Sequence, residues 1–135
     1  MKRFLLDTGV AQDFICDRRG VREQVHAQRH QGHRIGICVP VLGELWAGVE
    51  GSSSRDRNET NLRWALSRLV VWPYTSEAAA HFGRIFAELR RIGRPMQQID
   101  IQIAAIAFSL GNCIVVSADS DLAAVPGITV ENWSA

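Results

Sequence analysis

Several short segments of this chain are uninterrupted runs of apolar residues, and they constrain the fold more than any other feature. A strand with one solvent-exposed face has a sequence in which apolar and polar residues alternate. A strand that is buried on both faces of a parallel sheet has a continuous apolar sequence. Stretches with helical spacing separate these runs, in the order β-α-β-α-α-β-α-α-β-α-β. This order predicts a three-layer α/β/α sandwich around a central, mostly parallel five-stranded sheet. The predicted strands lie at 3–7, 35–39, 70–75, 113–116 and 128–130.

The length of the chain predicts one domain. Its 135 residues, 47% of them hydrophobic, suffice for a single core and are too few for two, so we expect one domain over 1–135. The longest apolar stretch, 101–110, is too short to span a bilayer. The N-terminus reaches Asp7 after only three apolar residues and lacks the apolar core of a signal peptide, which predicts a cytoplasmic protein.

Composition excludes several classes of function. Three widely spaced cysteines without a CxxC pair argue against a disulfide framework and against a zinc site. A net charge of +1 gives no global footprint of nucleic-acid binding. The motifs GxSxG, GxxxxGKS and GxGxxG do not occur, so serine hydrolase, P-loop and dinucleotide-binding functions lack their characteristic parts. Function must therefore be sought in individual side chains.

Four carboxylates lie in positions where a solvated surface role is unusual. Asp7 directly follows the first predicted strand, and Asp119 lies just beyond the fourth. The carboxyl ends of parallel strands share one edge of the sheet, so these two should be close together. Glu44 and Asp100 are each embedded in a strongly apolar helical stretch, where a carboxylate needs a partner. For each acid alone, capping or a local hydrogen bond is an equally good explanation.

Taken together, the four acids favour a metal site. Carboxylates from four separate segments that met at one sheet edge would repel one another unless a cation offset the charge. Ligands that are all oxygen suit Mg²⁺ or Mn²⁺ and disfavour zinc. Such an ion commonly also binds substrate phosphates, which makes phosphodiester hydrolysis the natural reaction. Thr8 could hydrogen-bond a metal water or a substrate phosphate, or it could simply cap the following helix.

Short motifs follow one another in order along nearly the whole chain. They read Leu-Leu-Asp7-Thr8, Glu44-Leu-x-x-Gly48, Asp100-x-x-Ile-Ala-Ala105, Val-Ser117-Ala-Asp119 and Glu131-Asn-Trp133. Together they resemble the PIN-domain nucleases, and within these the VapC toxins of bacterial toxin–antitoxin pairs. The resemblance implies a Mg²⁺- or Mn²⁺-dependent endoribonuclease that acts on RNA, is a homodimer and is inhibited by a cognate antitoxin protein.

The resemblance also implies roles for individual residues. Asp7, Glu44 and Asp100 match the three acidic positions of the family. The region after the fourth strand is one residue shorter than the family pattern, and we assign Asp119 as the fourth catalytic and metal-binding acid, with Asp121 as the alternative. A second departure is Gly9, because family members often have an asparagine at that position.

Three residues are candidates for substrate binding. Thr8 follows the first acid, and Ser117 occupies the position of a threonine in the family pattern. Arg94 belongs to a cluster with Arg90 and Arg91 that could bring a polyanion to the site. The helix dipole accounts for the latter two, because both lie at a helix C-terminus, and it accounts less well for Arg94.

Two other functions compete with the nuclease. An aspartyl-phosphate protein, either a phosphatase of the haloacid dehalogenase type or a receiver domain, would also place an aspartate like Asp7 after the first strand. Such sites need a lysine, and Lys2 is the only lysine in the chain. The phosphatase also needs a second aspartate where Gly9 stands. The other alternative is a non-catalytic binding module whose acids hold a structural cation.

A partner surface and a histidine-rich helix complete the candidate features. Trp46, Val49, Leu62 and Trp64 are either core residues or the lining of a groove for an antitoxin segment. As a group they favour the groove. Three histidines, His26, His30 and His33, are spaced as on one helix, but the surrounding Arg and Gln favour a solvated surface over a metal site.

Overall fold

The computed structural model describes residues 1–134 and contains one five-stranded sheet. Its strands lie in the order β3-β2-β1-β4-β5, and every pairing is parallel. Six helices accompany the sheet, which confirms the predicted α/β/α architecture. The strands are β1 (Arg3–Leu6), β2 (Arg34–Cys38), β3 (Val70–Trp72), β4 (Cys113–Val116) and β5 (Val130–Glu131).

The helices fill the connections between consecutive strands in pairs. They are α1 (Thr8–Ile15), α2 (Val21–His30), α3 (Val39–Glu50), α4 (Arg55–Leu66), α5 (Ser76–Arg91) and α6 (Gln98–Leu110). The order of elements inferred from the sequence is wrong in two connections. It has one helix between β1 and β2, where the structure has α1 and α2, and a helix between β4 and β5, where the structure has a 3₁₀ turn, Leu122–Ala124. Pro126 and Gly127 follow closely and leave no room for a longer helix. β3 is shorter than predicted, since Pro73 lacks the N–H that would extend the ladder.

The strands form the centre of the core, as continuous apolar runs predict. Phe4, Leu5 and Leu6 of β1 are buried on both faces of the sheet. Gly36 of β2 has a specific reason to be glycine, because a Cβ there would lie 2.2 Å from the carbonyl oxygen of Val70 in β3. The close pairing of β2 with β3 therefore requires a residue without a side chain.

The four residues expected to line a partner groove do not form one surface. Val49 and Leu62 are buried in the core between α3 and α4, so the groove hypothesis is wrong for these two. Their apolar side chains fill the space between the packed helices. Trp46 is half-buried, and the Arg63 guanidinium lies 5.1 Å from its ring centroid. Trp64 alone is exposed, at 36% of its surface.

The histidines of the α2 region behave as surface residues. His26 and His30 are exposed, and His33 accepts a hydrogen bond from the backbone N–H of Lys2. Within residues 1–134, the longest apolar helices fall short of what a membrane crossing requires.

Candidate active site

The adjacent carboxyl ends of β1 and β4 bring the first and fourth predicted acids together. Leu6 is in register with Val116, and the N–H of Asp7 donates to the Val116 carbonyl at 3.0 Å. β1 is the strand at which the chain order of the sheet reverses, and open parallel sheets form their sites at such a point. The sequence prediction that Asp7 and the segment around Asp119 share one edge is therefore confirmed.

Asp7 caps the helix that follows it. Its Oδ1 accepts the N–H of Val10 at 2.8 Å, so Asp7, and not Thr8, is the N-cap of α1. Burial raises the pKa of Asp7 above its ordinary value because the charged form is desolvated. The hydroxyl of Ser117 and the Val10 N–H lower the pKa, while the nearby charge of Asp119 raises it. The carboxylate is therefore partly desolvated and close to another acid, with one oxygen engaged by the helix.

Thr8 holds the second acid. It is the first residue of α1, and its hydroxyl donates to Oε1 of Glu44 at 2.5 Å. Glu44 lies on α3 and is exposed to the cleft, although its apolar sequence context suggested burial. The flanking Gly43 is exposed too, while Val41 and Leu45 carry the buried face of α3. The Thr8 hydroxyl thus links the end of β1 to α3.

The pKa of Asp100, in the first turn of α6, indicates that the acids lie close together. It is half-buried, and its pKa rises to about 6. Burial is the largest cause, followed by the charges of Asp119 and Asp7, with smaller effects from Asp121 and Glu44. Carboxylates from four separate segments therefore act on one another electrostatically.

A chain of hydrogen bonds orders the loop after β4. Ser117 is only 2% exposed, and its Oγ accepts the N–H of Asp119 at 2.9 Å. Asp119 Oδ1 accepts the N–H of Asp121 at 2.9 Å, and Asp121 Oδ1 accepts a hydrogen bond from Nη2 of Arg94 at 2.8 Å. Ser117 is too deeply buried for the substrate contact assigned to it from the sequence, and the structure gives it a role in shaping this loop.

The acids border an open cleft of about 600 Å³. Arg94 is not among the described residues that line this cleft, and its guanidinium pairs with Asp121 at 2.8 Å. The structure thus places Arg94 outside the cleft, and its predicted contact with an RNA phosphate stays a prediction. The polar and charged residues that line the cleft include Asp7, Thr8, Gln12, Asp13, Arg18, Arg19, Glu44, Gln97, Asp100 and Asp119.

Asp13 is a residue of the cleft that was not predicted from the sequence. It is buried on α1 and forms ion pairs with Arg18 at 3.3 Å and Arg19 at 2.9 Å. The detectable signal was its spacing, because Asp13 lies three residues after Val10 and beside Phe14, both on the core face of α1. The two arginines follow directly after this helix.

The donor set fits a hard divalent cation. It consists of carboxylate oxygens from Asp7, Glu44, Asp100 and Asp119, with no nitrogen or sulfur ligand among the residues that line the cleft. In this arrangement no three His, Cys, Asp or Glu side chains of residues 1–134 meet closely enough to coordinate one ion. Glu44 is instead bound to Thr8. Coordination would thus require small side-chain movements, which would relieve the repulsion seen at Asp100.

Comparison with known proteins agrees with the fold and the motifs. The family model described as PIN domain matches residues 4–128. The chain is 36% identical to the tRNA(fMet)-specific endonuclease VapC of Shigella flexneri, over 99% of this chain and 100% of that protein. It is 34% identical to the protein of the same name from Salmonella typhimurium, over 98% and 99% of the two chains. The structure of DNA-bound VapBC from Salmonella typhimurium superposes with a TM-score of 0.90 at 35% identity, covering 98% of this chain and 99% of that one. This chain therefore belongs to the PIN-domain family, in its VapC group.

Proposed function

We propose that this protein is a divalent-metal-dependent endoribonuclease, the toxin of a toxin–antitoxin pair. Asp7, Glu44, Asp100 and Asp119 hold Mg²⁺ or Mn²⁺ in the cleft. The observation that carries the proposal is the convergence of these acids from four segments, expressed in the pKa of Asp100 at about 6. Such an arrangement is unfavourable in the absence of a cation.

The acids and Thr8 have different roles in the proposed site. A divalent cation held by these acids would supply Lewis-acid chemistry, polarising a phosphoryl oxygen and making a water molecule more acidic. Asp7 offers the oxygen that is not engaged by Val10, and Asp119 is oriented by the hydrogen bonds of its loop. Thr8 positions Glu44. The pKa of Asp100 is about 6 in the metal-free protein, and Asp100 must lose its proton to bind an ion, so metal binding weakens on acidification.

An aspartyl-phosphate mechanism fits the cleft less well. One oxygen of Asp7 is held by the Val10 N–H, and the residues that line the cleft include no lysine within the described part of the chain. A non-catalytic module that holds a structural cation would have the same donor set. Cleavage of RNA distinguishes it from the nuclease.

The substrate class and partners follow from the relatives. Two relatives that match over nearly their whole length are named for tRNA(fMet), so initiator tRNA is the substrate we propose for this chain. The VapBC structure from Salmonella typhimurium supports an antitoxin as the protein partner. We keep the homodimer as part of the proposal, to be tested by light scattering of the free protein.

The test is cleavage of purified initiator tRNA, with an elongator tRNA for comparison. We expect cleavage with Mg²⁺ or Mn²⁺ and none with EDTA. Asp7→Asn, Glu44→Gln and Asp100→Asn should each abolish it, because each removes charge from the metal site with little change in volume. Asp56→Asn is the matched control, since this acid is exposed on α4.

Two outcomes would refute parts of the proposal. Full activity of all three variants would show that these acids do not form the metal site. A wild-type protein that binds the ion without cleaving RNA would favour the non-catalytic module. The same assay identifies the fourth acid. Asp119→Asn should be inactive and Asp121→Asn active, because only Asp119 lines the cleft.

A further inference from the structure

A turn on the rim of the cleft carries two arginines that the site described above does not use. The turn comprises residues 16–20 and follows the C-terminus of α1. Arg18 and Arg19 line the same cleft as the carboxylates. Their side chains are 55% and 56% exposed, so both guanidinium groups are accessible to a ligand.

Buried Asp13 anchors both arginines. Its Oδ1 lies 3.3 Å from Nε of Arg18 and 2.9 Å from Nη1 of Arg19. A buried carboxylate needs such partners, since an unpaired charge there would be costly. Each guanidinium uses one nitrogen for Asp13, and the other donors of both groups have no further side-chain acceptor among residues 1–134. The carboxylate thus fixes the two groups while leaving most of their N–H donors available.

The backbone of the turn adopts a conformation that non-glycine residues rarely take. Asp17 and Arg19 have φ values of 54° and 56°, in the left-handed region, and Gly20 follows at 69°. Neighbouring residues of an extended chain project to opposite sides, whereas this turn lets Arg18 and Arg19 reach the same carboxylate. Strained backbone of this kind persists where the surrounding structure imposes it, and it is concentrated at functional sites.

We propose that Arg18 and Arg19 form a phosphate clamp that binds the backbone of the RNA strand beside the metal site, with Asp13 as a positioning residue. This inference rests on the proposed function. Guanidinium groups match the geometry of phosphate oxygens and can bind them in pairs of parallel hydrogen bonds. A polyanion approaching four carboxylates needs nearby cations, and among the described residues that line this cleft Arg18 and Arg19 are the arginines.

The experiment measures binding of a single-stranded RNA by fluorescence anisotropy over a range of salt concentrations. The protein carries Asp7→Asn throughout, so the RNA stays intact with Mg²⁺ present. The double variant Arg18→Gln/Arg19→Gln should bind more weakly, and its plot of log affinity against log salt should flatten by about 0.7 per lost phosphate contact. The control is Arg34→Gln/Arg57→Gln, which removes the same charge from exposed residues that do not line the cleft. It should leave the slope unchanged.

The variant Asp13→Asn separates the positioning of Arg18 and Arg19 by Asp13 from the effect of net charge on RNA binding. This variant makes the protein more positive by one charge, so a simple charge effect predicts tighter RNA binding. Loss of the anchor predicts weaker binding, and that is the result we expect. The Tm of each variant must show that it is folded. The double arginine variant removes both partners of buried Asp13, whereas Arg18→Gln and Arg19→Gln made singly each leave it one partner. If Asp13→Asn or the double variant does not fold, the two single variants decide, and each should weaken RNA binding and flatten the salt slope.

The outcomes separate the clamp from the nuclease. Equal slopes for the double arginine variant and its control would overturn the clamp, whether or not the wild-type protein cleaves RNA. Unchanged RNA binding together with weaker antitoxin binding would also overturn it and would assign the arginines to the protein partner. Weaker RNA binding with a flatter slope would support the clamp even if the wild-type protein had no nuclease activity.

Discussion

The raised pKa of Asp100 predicts that the metal-free protein gains stability when this charge is removed. The pKa is about 6 in the folded protein, against 3.8 for an unperturbed aspartate. One pKa unit corresponds to about 1.4 kcal/mol, which sets an upper value of about 3 kcal/mol for the difference. Asp100 is only half-buried and solvent screens its neighbours, so we expect Asp100→Asn to raise the free energy of unfolding by about 1–2 kcal/mol at neutral pH.

The sign of the pH dependence follows from proton binding. Between pH 3.8 and about 6 the folded state binds the Asp100 proton more tightly than the unfolded state does. The contribution of this group to stability is therefore fully present below pH 3.8 and is lost as the pH rises through about 6. The gain in Asp100→Asn should be largest at neutral pH and should vanish near pH 4.

Urea unfolding in EDTA at a series of pH values measures this difference between wild type and variant. Other titrating groups are common to both proteins and largely cancel. Adding Mg²⁺ or Mn²⁺ should reverse the order, because the ion stabilises only a protein that binds it. Asp56→Asn, which removes an exposed acid from the first turn of α4, should show no gain in stability at neutral pH. An Asp100→Asn variant that is no more stable than the wild type at neutral pH in EDTA would show that the other carboxylates do not destabilise the charged form of Asp100.

Three further substitutions test the packing and the partner surface. Gly36→Ala should lower the free energy of unfolding by about 1–3 kcal/mol or prevent folding, because its Cβ would collide with the Val70 carbonyl; an unchanged urea midpoint would contradict this. Ser117→Ala should cost about 1–2 kcal/mol by removing the acceptor for the Asp119 N–H, and no loss in urea unfolding would mean that water replaces the hydroxyl. Trp64→Ala should weaken antitoxin binding in calorimetry far more than it lowers the Tm, since the ring is 36% exposed; the opposite result would assign it to the core.

The sheet and the position of the acids could be predicted because both follow from local patterns. A continuous apolar run that ends in an acid, such as the one before Asp7, identifies a buried parallel strand and the edge at which its carboxyl end lies. Glu44 and Asp100 could be selected because carboxylates are rare in apolar stretches. Their mutual effect on pKa depends on distances that no local pattern contains.

The contacts that could not be predicted from the sequence are tertiary ones. Arg94 looked free because it follows a helix, yet its partner, Asp121, lies 27 residues further along the chain. Asp13 looked like one more polar helix residue because its two partners are reached only through a left-handed turn. Val49 and Leu62 are apolar, which is compatible with either a partner groove or the core. The packing of α3 against α4 buries both of them in the core.

The net charge of the chain does not indicate an RNA-binding site, because the negative and positive side chains of the cleft partly cancel. Among the described residues that line it, five acids and two arginines give the metal-free cleft a formal charge of −3. One divalent ion reduces this to −1 and a second would make it +1, so the ion itself changes the cleft from one that repels phosphates towards one that attracts them. We therefore expect affinity of the wild-type protein for RNA to increase when Mg²⁺ replaces EDTA at constant ionic strength. Anisotropy measured in the cold, with the RNA checked for integrity on a gel, gives this comparison. Equal affinity in both buffers would mean that RNA binds away from the carboxylates and reaches them only after docking elsewhere.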